Sequence, residues 1–155
     1  MAAKQSPAPK QKKYYTPTEA NATLPLVRAI LRDVMQLAAD LRERAERLRK
    51  AGGGKKRRDD AHAEELRQVE ADLERDQEKM AEFFAELGGL GIEMKDPFTG
   101  LIDFPCWMNN HEVYLCWRYG EPEVGHWHEI DAGFAGRQKL QESGSRGQGT
   151  GISNN

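Results

Sequence analysis

Apolar residues recur at intervals of three and four through Val27, Ile30, Leu31, Val34, Leu37, Ala38, Leu41, Ala45 and Leu48, one continuous stripe along a helix. The start lies earlier. Thr16-Pro17-Thr18-Glu19 supplies a threonine N-cap, a proline at the first helical position and a glutamate three residues past the cap. Pro25 has no N–H and clashes with the preceding turn, so a short first helix is expected to kink or restart near Thr23 to Pro25, with the long helix then running to about Lys50. Ala51 to Lys56 breaks the pattern with glycines and lysines, and Asp59 and Asp60 suit the N-terminal dipole of a second helix over about 59–87. Its stripe is Leu66, Val69, Leu73, Met80, Phe83, Phe84 and Leu87, interrupted around Asp76 and Gln77. Two such helices on a short loop form an antiparallel, coiled-coil-like hairpin over about 16–87.

After Gly88-Gly89 the period changes. Leu90 to Lys95 and Leu101 to Arg118 read as strands, punctuated by Asp96-Pro97-Phe98-Thr99-Gly100 and by Asn109-Asn110. A two-residue type I′ turn at Asn109-Asn110 sets Met108 against His111, Cys106 against Val113, Phe104 against Leu115 and Ile102 against Trp117. That face is nearly all apolar, which supports the register. The other face pairs Trp107 with Glu112, Pro105 with Tyr114, Asp103 with Cys116 and Leu101 with Arg118. The fold class is therefore α+β: a long helical hairpin followed by a small antiparallel β-hairpin or meander over about 90–131.

A bare hairpin leaves much apolar surface wet, so the C-terminal segment, a second copy of the chain, or both must cover it. A homodimer through the hairpin is the partner this suggests. The chain of 155 residues holds one domain, expected over 14–140. Residues 1–13 and 141–155 have too little to bury to offset the entropy of ordering and are expected to be disordered tails.

With 23 basic and 25 acidic residues the formal charge is -2, which favours neither nucleic acid nor an anionic membrane. The basic run Arg47, Arg49, Lys50, Lys55, Lys56, Arg57 and Arg58 lacks aromatics to stack on bases and reads as a solvated tip. No apolar run is long enough to span a bilayer, and no apolar segment follows the basic N-terminus. A cytoplasmic protein is expected. Cys106 and Cys116 fall on opposite strand faces, so both thiols should be free.

Tyr14-Tyr15-Thr16, Glu19-Ala20-Asn21, Leu24-Pro25, Gly91 to Lys95, Gly100 to Phe104, Leu115-Cys116-Trp117, Gly120-Glu121 and Trp127-His128 through Arg137 together resemble a bacterial domain-of-unknown-function family, number 2203. The family pattern maps onto Cys116, Trp117, Gly120, Glu121, Trp127, His128, Gly133, Phe134 and Arg137. The resemblance implies no activity, substrate or catalytic residue. His126 and Cys106 lie outside the pattern.

The chemistry-bearing residues are Asp103, Tyr114, Cys116, Arg118, Glu121, Trp127, His128 and Arg137, taken as candidates for ligand binding. The preferred reading is a non-catalytic domain presenting this cluster to a small anionic ligand or a protein partner. The alternative is a small acid-base or metal-assisted hydrolase using His128 with Glu121 or Glu129. Cys116 beside Asp103 makes a poor nucleophile, because a carboxylate raises a thiol's pKa. Arg118 and Arg137 bind anions bidentately or clamp Glu121 or Asp131. No cofactor is expected. A divalent metal on His126 and His128, joined by Cys116, Glu129 or Asp131, is the lesser reading.

Overall fold

The computed structural model describes residues 12–54 and 60–141. Both halves of the capping box form: the Glu19 N–H donates to Thr16 Oγ1 at 3.1 Å and the Thr16 N–H donates to Glu19 Oε1 at 3.0 Å. Helix α1 accordingly begins at Pro17, and it runs unbroken to Gly54. The restart expected near Pro25 does not occur. Proline deletes one backbone donor and costs about 3 kcal/mol in isolation, but buried Leu24 and Val27 pin the turns on either side of it. Nearby carbonyls also gain side-chain donors, Asn21 Nδ2 to Pro17 O at 3.0 Å and Thr23 Oγ1 to Ala20 O at 2.7 Å.

Helix α2 spans Asp60–Gly89 and packs against α1 as the expected hairpin. The interruption of its stripe at Asp76 has a cause: Asp76 forms an ion pair with Arg44 of α1. Lys55 to Arg58 lie outside the described residues, while Arg47 and Arg49 pair with Glu43 and Glu46 on their own helix. The tails expected at 1–13 and 141–155 lie largely outside the described residues too. Lys12 and Lys13 are already engaged, Lys12 with Glu112 and Lys13 over the Tyr15 ring.

Five antiparallel strands form a meander in sequence order: β1 Glu93–Asp96, β2 Leu101–Met108, β3 His111–Arg118, β4 His126–Glu129 and β5 Gln138–Lys139. Asn109 and Asn110 have φ of 52° and 67°, the left-handed pair that a type I′ turn needs. With that turn in place, every β2–β3 pairing follows the register read from the sequence. The strand expected over Leu90 to Lys95 is shifted to Glu93–Asp96 and bulges between Met94 and Asp96.

The inner face of the sheet carries Ile102, Phe104, Cys106, Val113, Leu115 and Trp117, and these share one core with Leu24, Val27, Ile30, Leu31 and Val34 of α1. The sheet is thus what covers the proximal stripe. Asn21 Oδ1 accepts from the Val124 N–H at 2.7 Å and Arg28 donates to Pro122 O at 2.9 Å, which fasten the β3–β4 loop to α1. Full burial stops at Ala38 on α1 and resumes only at Leu87 on α2, so the distal hairpin has no fully buried residue among those described.

Candidate functional site

Strand register gathers the polar chemistry on the outer face. Glu93 opposes Asp103, Asp103 opposes Cys116, Cys116 opposes His126 and His126 opposes Lys139, one row across all five strands. The adjacent row sets Tyr114 against His128. After β4 the chain turns through Gly133, whose φ of 71° a side chain would resist, into a short 3-10 helix over Phe134–Gly136. Ile130 and Phe134 thereby help to close a cavity of about 160 Å³ whose walls include Lys95, Asp103, Tyr114, Cys116 and His128.

Asp103 and His128 are each 2% exposed and are the buried charged or polar side chains among the described residues. They are partners. His128 Nε2 lies 3.1 Å from both Asp103 carboxylate oxygens, and Nδ1 lies 2.8 Å from the Glu129 carbonyl oxygen. A carbonyl can only accept, so Nδ1 carries a proton. A further proton must then lie between Nε2 and the carboxylate, either on the imidazolium or on the acid, since two lone pairs cannot face each other at that distance. Burial pushes the Asp103 carboxyl up, opposed by its attraction to His128.

Cys116 is fully buried beside this pair, its Sγ within 4.8 Å of ligand atoms of both Asp103 and His128. Burial first and the Asp103 charge second push its thiol up to about 12. Cys106, on the inner face, is raised to about 11 by burial alone. Both thiols are free, as the register required. Tyr114 donates to Glu93 Oε2 at 2.8 Å, and Lys95 pairs with Glu93 Oε1 at 2.9 Å. Burial raises the Glu93 carboxyl, but the Lys95 and Tyr114 hydrogen bonds outweigh it and leave the group below its usual range.

A second constellation adjoins the first. Arg137 donates through Nη2 to Glu121 Oε2 and to His126 Nδ1, and its guanidinium lies over the Phe134 ring with 4.6 Å to the centroid. Glu121 Oε1 also accepts from the Arg118 backbone N–H at 2.9 Å. The arginine clamp is therefore Arg137 on Glu121, whereas the Arg118 side chain is exposed beside Phe134. Burial and the Arg137 charge lower the His126 pKa, which keeps that ring neutral with its proton on Nε2.

Several sequence expectations are corrected. Glu129 turns its carboxylate to the opposite face, where it meets His111 Nε2 at 2.9 Å; only its backbone reaches His128. Glu121 is held by Arg137 rather than by His128. Trp127 opposes Leu115 and packs against the core, so it does not line the outer face. His126 shares a face with His128 but is engaged by Arg137, and Asp103 is the acid that joins His128 and Cys116. Glu93 and Lys95 were missed because β1's register runs through a bulge that periodicity cannot place. Ile130 was missed because an isolated apolar residue after a strand carries no pattern.

The profile of the family described as an uncharacterized conserved protein, DUF2203, matches residues 13–140. The chain belongs to this family. No curated protein and no solved structure matches it. Of the DUF2203 motif residues that carried the resemblance, Cys116, His128, Glu121, Phe134 and Arg137 gather on or over the outer face, while Trp117 and Trp127 pack on the inner one.

Proposed function

We infer that this protein is a non-catalytic ligand-binding domain whose site is the outer-face cavity beneath Phe134. The observation that carries the reading is the buried Asp103–His128 pair beside Cys116, set against a cavity instead of within the apolar core. Burying an ionisable pair costs several kcal/mol per ion before the pair's own attraction is counted. An apolar pair would serve the fold at least as well. The small volume restricts the ligand to a few atoms, far below the ~300 Å³ at which drug-sized pockets begin.

Hydrolysis by His128 with Glu121 or Glu129 is less well supported, because both ring nitrogens are engaged and neither glutamate carboxylate faces the ring. The test is thermal unfolding of the full chain with inorganic phosphate, small carboxylates and divalent cations, wild type beside Phe134→Ala. A ligand at roughly a hundredfold excess over its Kd should stabilise the wild type by about 2.7 kcal/mol and the variant by less. The reading fails if nothing shifts the wild type. If the double variant Asp103→Leu/His128→Leu then also unfolds more easily, the pair is a fold lock.

The half-buried stripe Leu41, Leu48, Leu66, Val69 and Leu73 beyond the sheet supports self-association of the distal hairpin as the accompanying proposal.

A further inference from the structure

We propose that Asp103, Cys116 and His128 are three ligands of a divalent transition-metal site of zinc type, with the cavity beneath Phe134 holding the fourth position. The inference rests on the reading of the outer face as a binding site and names its occupant.

Two independent observations carry it. The first is convergence: Nε2, Sγ and a carboxylate oxygen lie within 4.8 Å of one another, and Nε2 is 3.1 Å from each Asp103 oxygen. Bonds of about 2.0–2.3 Å to a tetrahedral centre place such donors roughly 3.3–3.8 Å apart, close to the spacing of within 4.8 Å that the three atoms show. The second is the orientation of His128. Its Nδ1–H is spent on the Glu129 carbonyl at 2.8 Å, which leaves Nε2 as the nitrogen that faces Asp103 and would ligate once the shared proton is displaced. Metal-bound histidines are held in this way.

The donor set suits the ion. One thiolate, one carboxylate and one neutral imidazole balance a divalent charge and mix the soft and borderline donors that zinc accepts. The remaining neighbours do not compete: Lys95 and Tyr114 are tied to Glu93, and His126 is tied to Arg137.

The exchange has a definite proton balance. The metal-free pair shares one proton between Nε2 and the carboxylate, and Cys116 carries another on sulfur. Binding replaces both: the ion forms bonds to Nε2, to a carboxylate oxygen and to Sγ, while two protons leave to solvent. No electron moves.

The experiment uses the full chain, purified without a metal-affinity tag, stripped with a chelator and titrated with Co²⁺ and then Zn²⁺ in weakly buffered solution with a pH indicator. The expected result is about one ion per chain, two protons released per ion, and a thiolate-to-cobalt charge-transfer band that Zn²⁺ abolishes. The chain has only two cysteines, so the band should survive Cys106→Ala and vanish in Cys116→Ser. His128→Ala should weaken binding by at least about tenfold, the smaller end of what even supporting residues of metal sites contribute. Should a variant fail to fold, the wild-type stoichiometry, band and proton count still decide the matter. Substoichiometric binding without a band or proton release would overturn the proposal, as would a band that persists in Cys116→Ser. If phosphate or a carboxylate stabilises the wild type while both metals do nothing, the metal assignment falls and the binding site stands. If neither class has any effect, both fall.

Discussion

At the scale of single residues, the Asp103–His128 pair behaves as a unit. Removing one member strands a buried charge or an unpaired polar group, so Asp103→Ala or His128→Ala should cost about 3–5 kcal/mol in chelator-treated protein. Replacing both with leucine should cost less than either single change, and denaturant unfolding of the three variants measures the difference. His126 gives a pH dependence of definite sign. Its folded pKa lies below the ordinary 6.5, so the unfolded chain binds the proton more readily. Its contribution is therefore complete above pH 6.5 and is lost as pH falls through the depressed folded value. The fall in stability as pH drops below 6.5 should flatten in His126→Gln, as read from Tm against pH. Gly100 is constrained twice: its φ is +71°, and an added Cβ would lie 2.6 Å from Tyr119 Cβ and 2.9 Å from Met35 Sδ. Gly100→Ala should destabilise by roughly 1–3 kcal/mol.

At the scale of elements, the β2–β3 hairpin is the part in which local chemistry and tertiary packing agree. Two asparagines at positive φ define a type I′ turn, and a turn of fixed length leaves one register that buries Ile102, Phe104, Cys106, Val113, Leu115 and Trp117 together. Asn110→Gly should leave the hairpin intact or strengthen it slightly, whereas the β-branched Asn110→Val should cost on the order of 1 kcal/mol or more, because φ near 67° is strained for it. Chemical denaturation of both variants checks this. Pro25 shows the opposite relation. Local propensity argues for a break, and the helix continues because its flanking turns are anchored by Leu24 and Val27. The outer face depends on elements with little sequence signature: a four-residue β1 with a bulge, a two-residue β5 and a three-residue 3-10 helix.

At the scale of the whole molecule, stability should be uneven. The core joins the sheet to residues before about Ala38 of α1 and to Leu87 of α2, whereas the distal hairpin has no fully buried residue among those described. Hydrogen exchange by mass spectrometry on dilute protein should show strong protection in β2, β3 and the proximal part of α1, and rapid exchange across residues 41–54 and 60–73. Protection of the distal segments that rises with protein concentration is the outcome expected of a homodimer through the hairpin. Concentration-independent exchange there would count against it.

What the amino-acid sequence determined by itself was everything that follows from a local period or a defined turn: the hairpin stripes, the Thr16–Glu19 cap, the Asn109-Asn110 turn with its register, and hence the opposite facing of Cys106 and Cys116. These depend on neighbours a few residues apart, or on pairings a tight turn dictates. Tertiary structure alone decided which acid meets His128. Asp103 is 25 residues away in the chain and reaches the ring because β3 lies between β2 and β4. Glu129 is adjacent to His128 in sequence, yet its side chain leaves by the other face because successive residues of a strand alternate. Adjacency along the chain therefore suggested the wrong carboxylate, and strand order supplied the one that shares a proton with the ring.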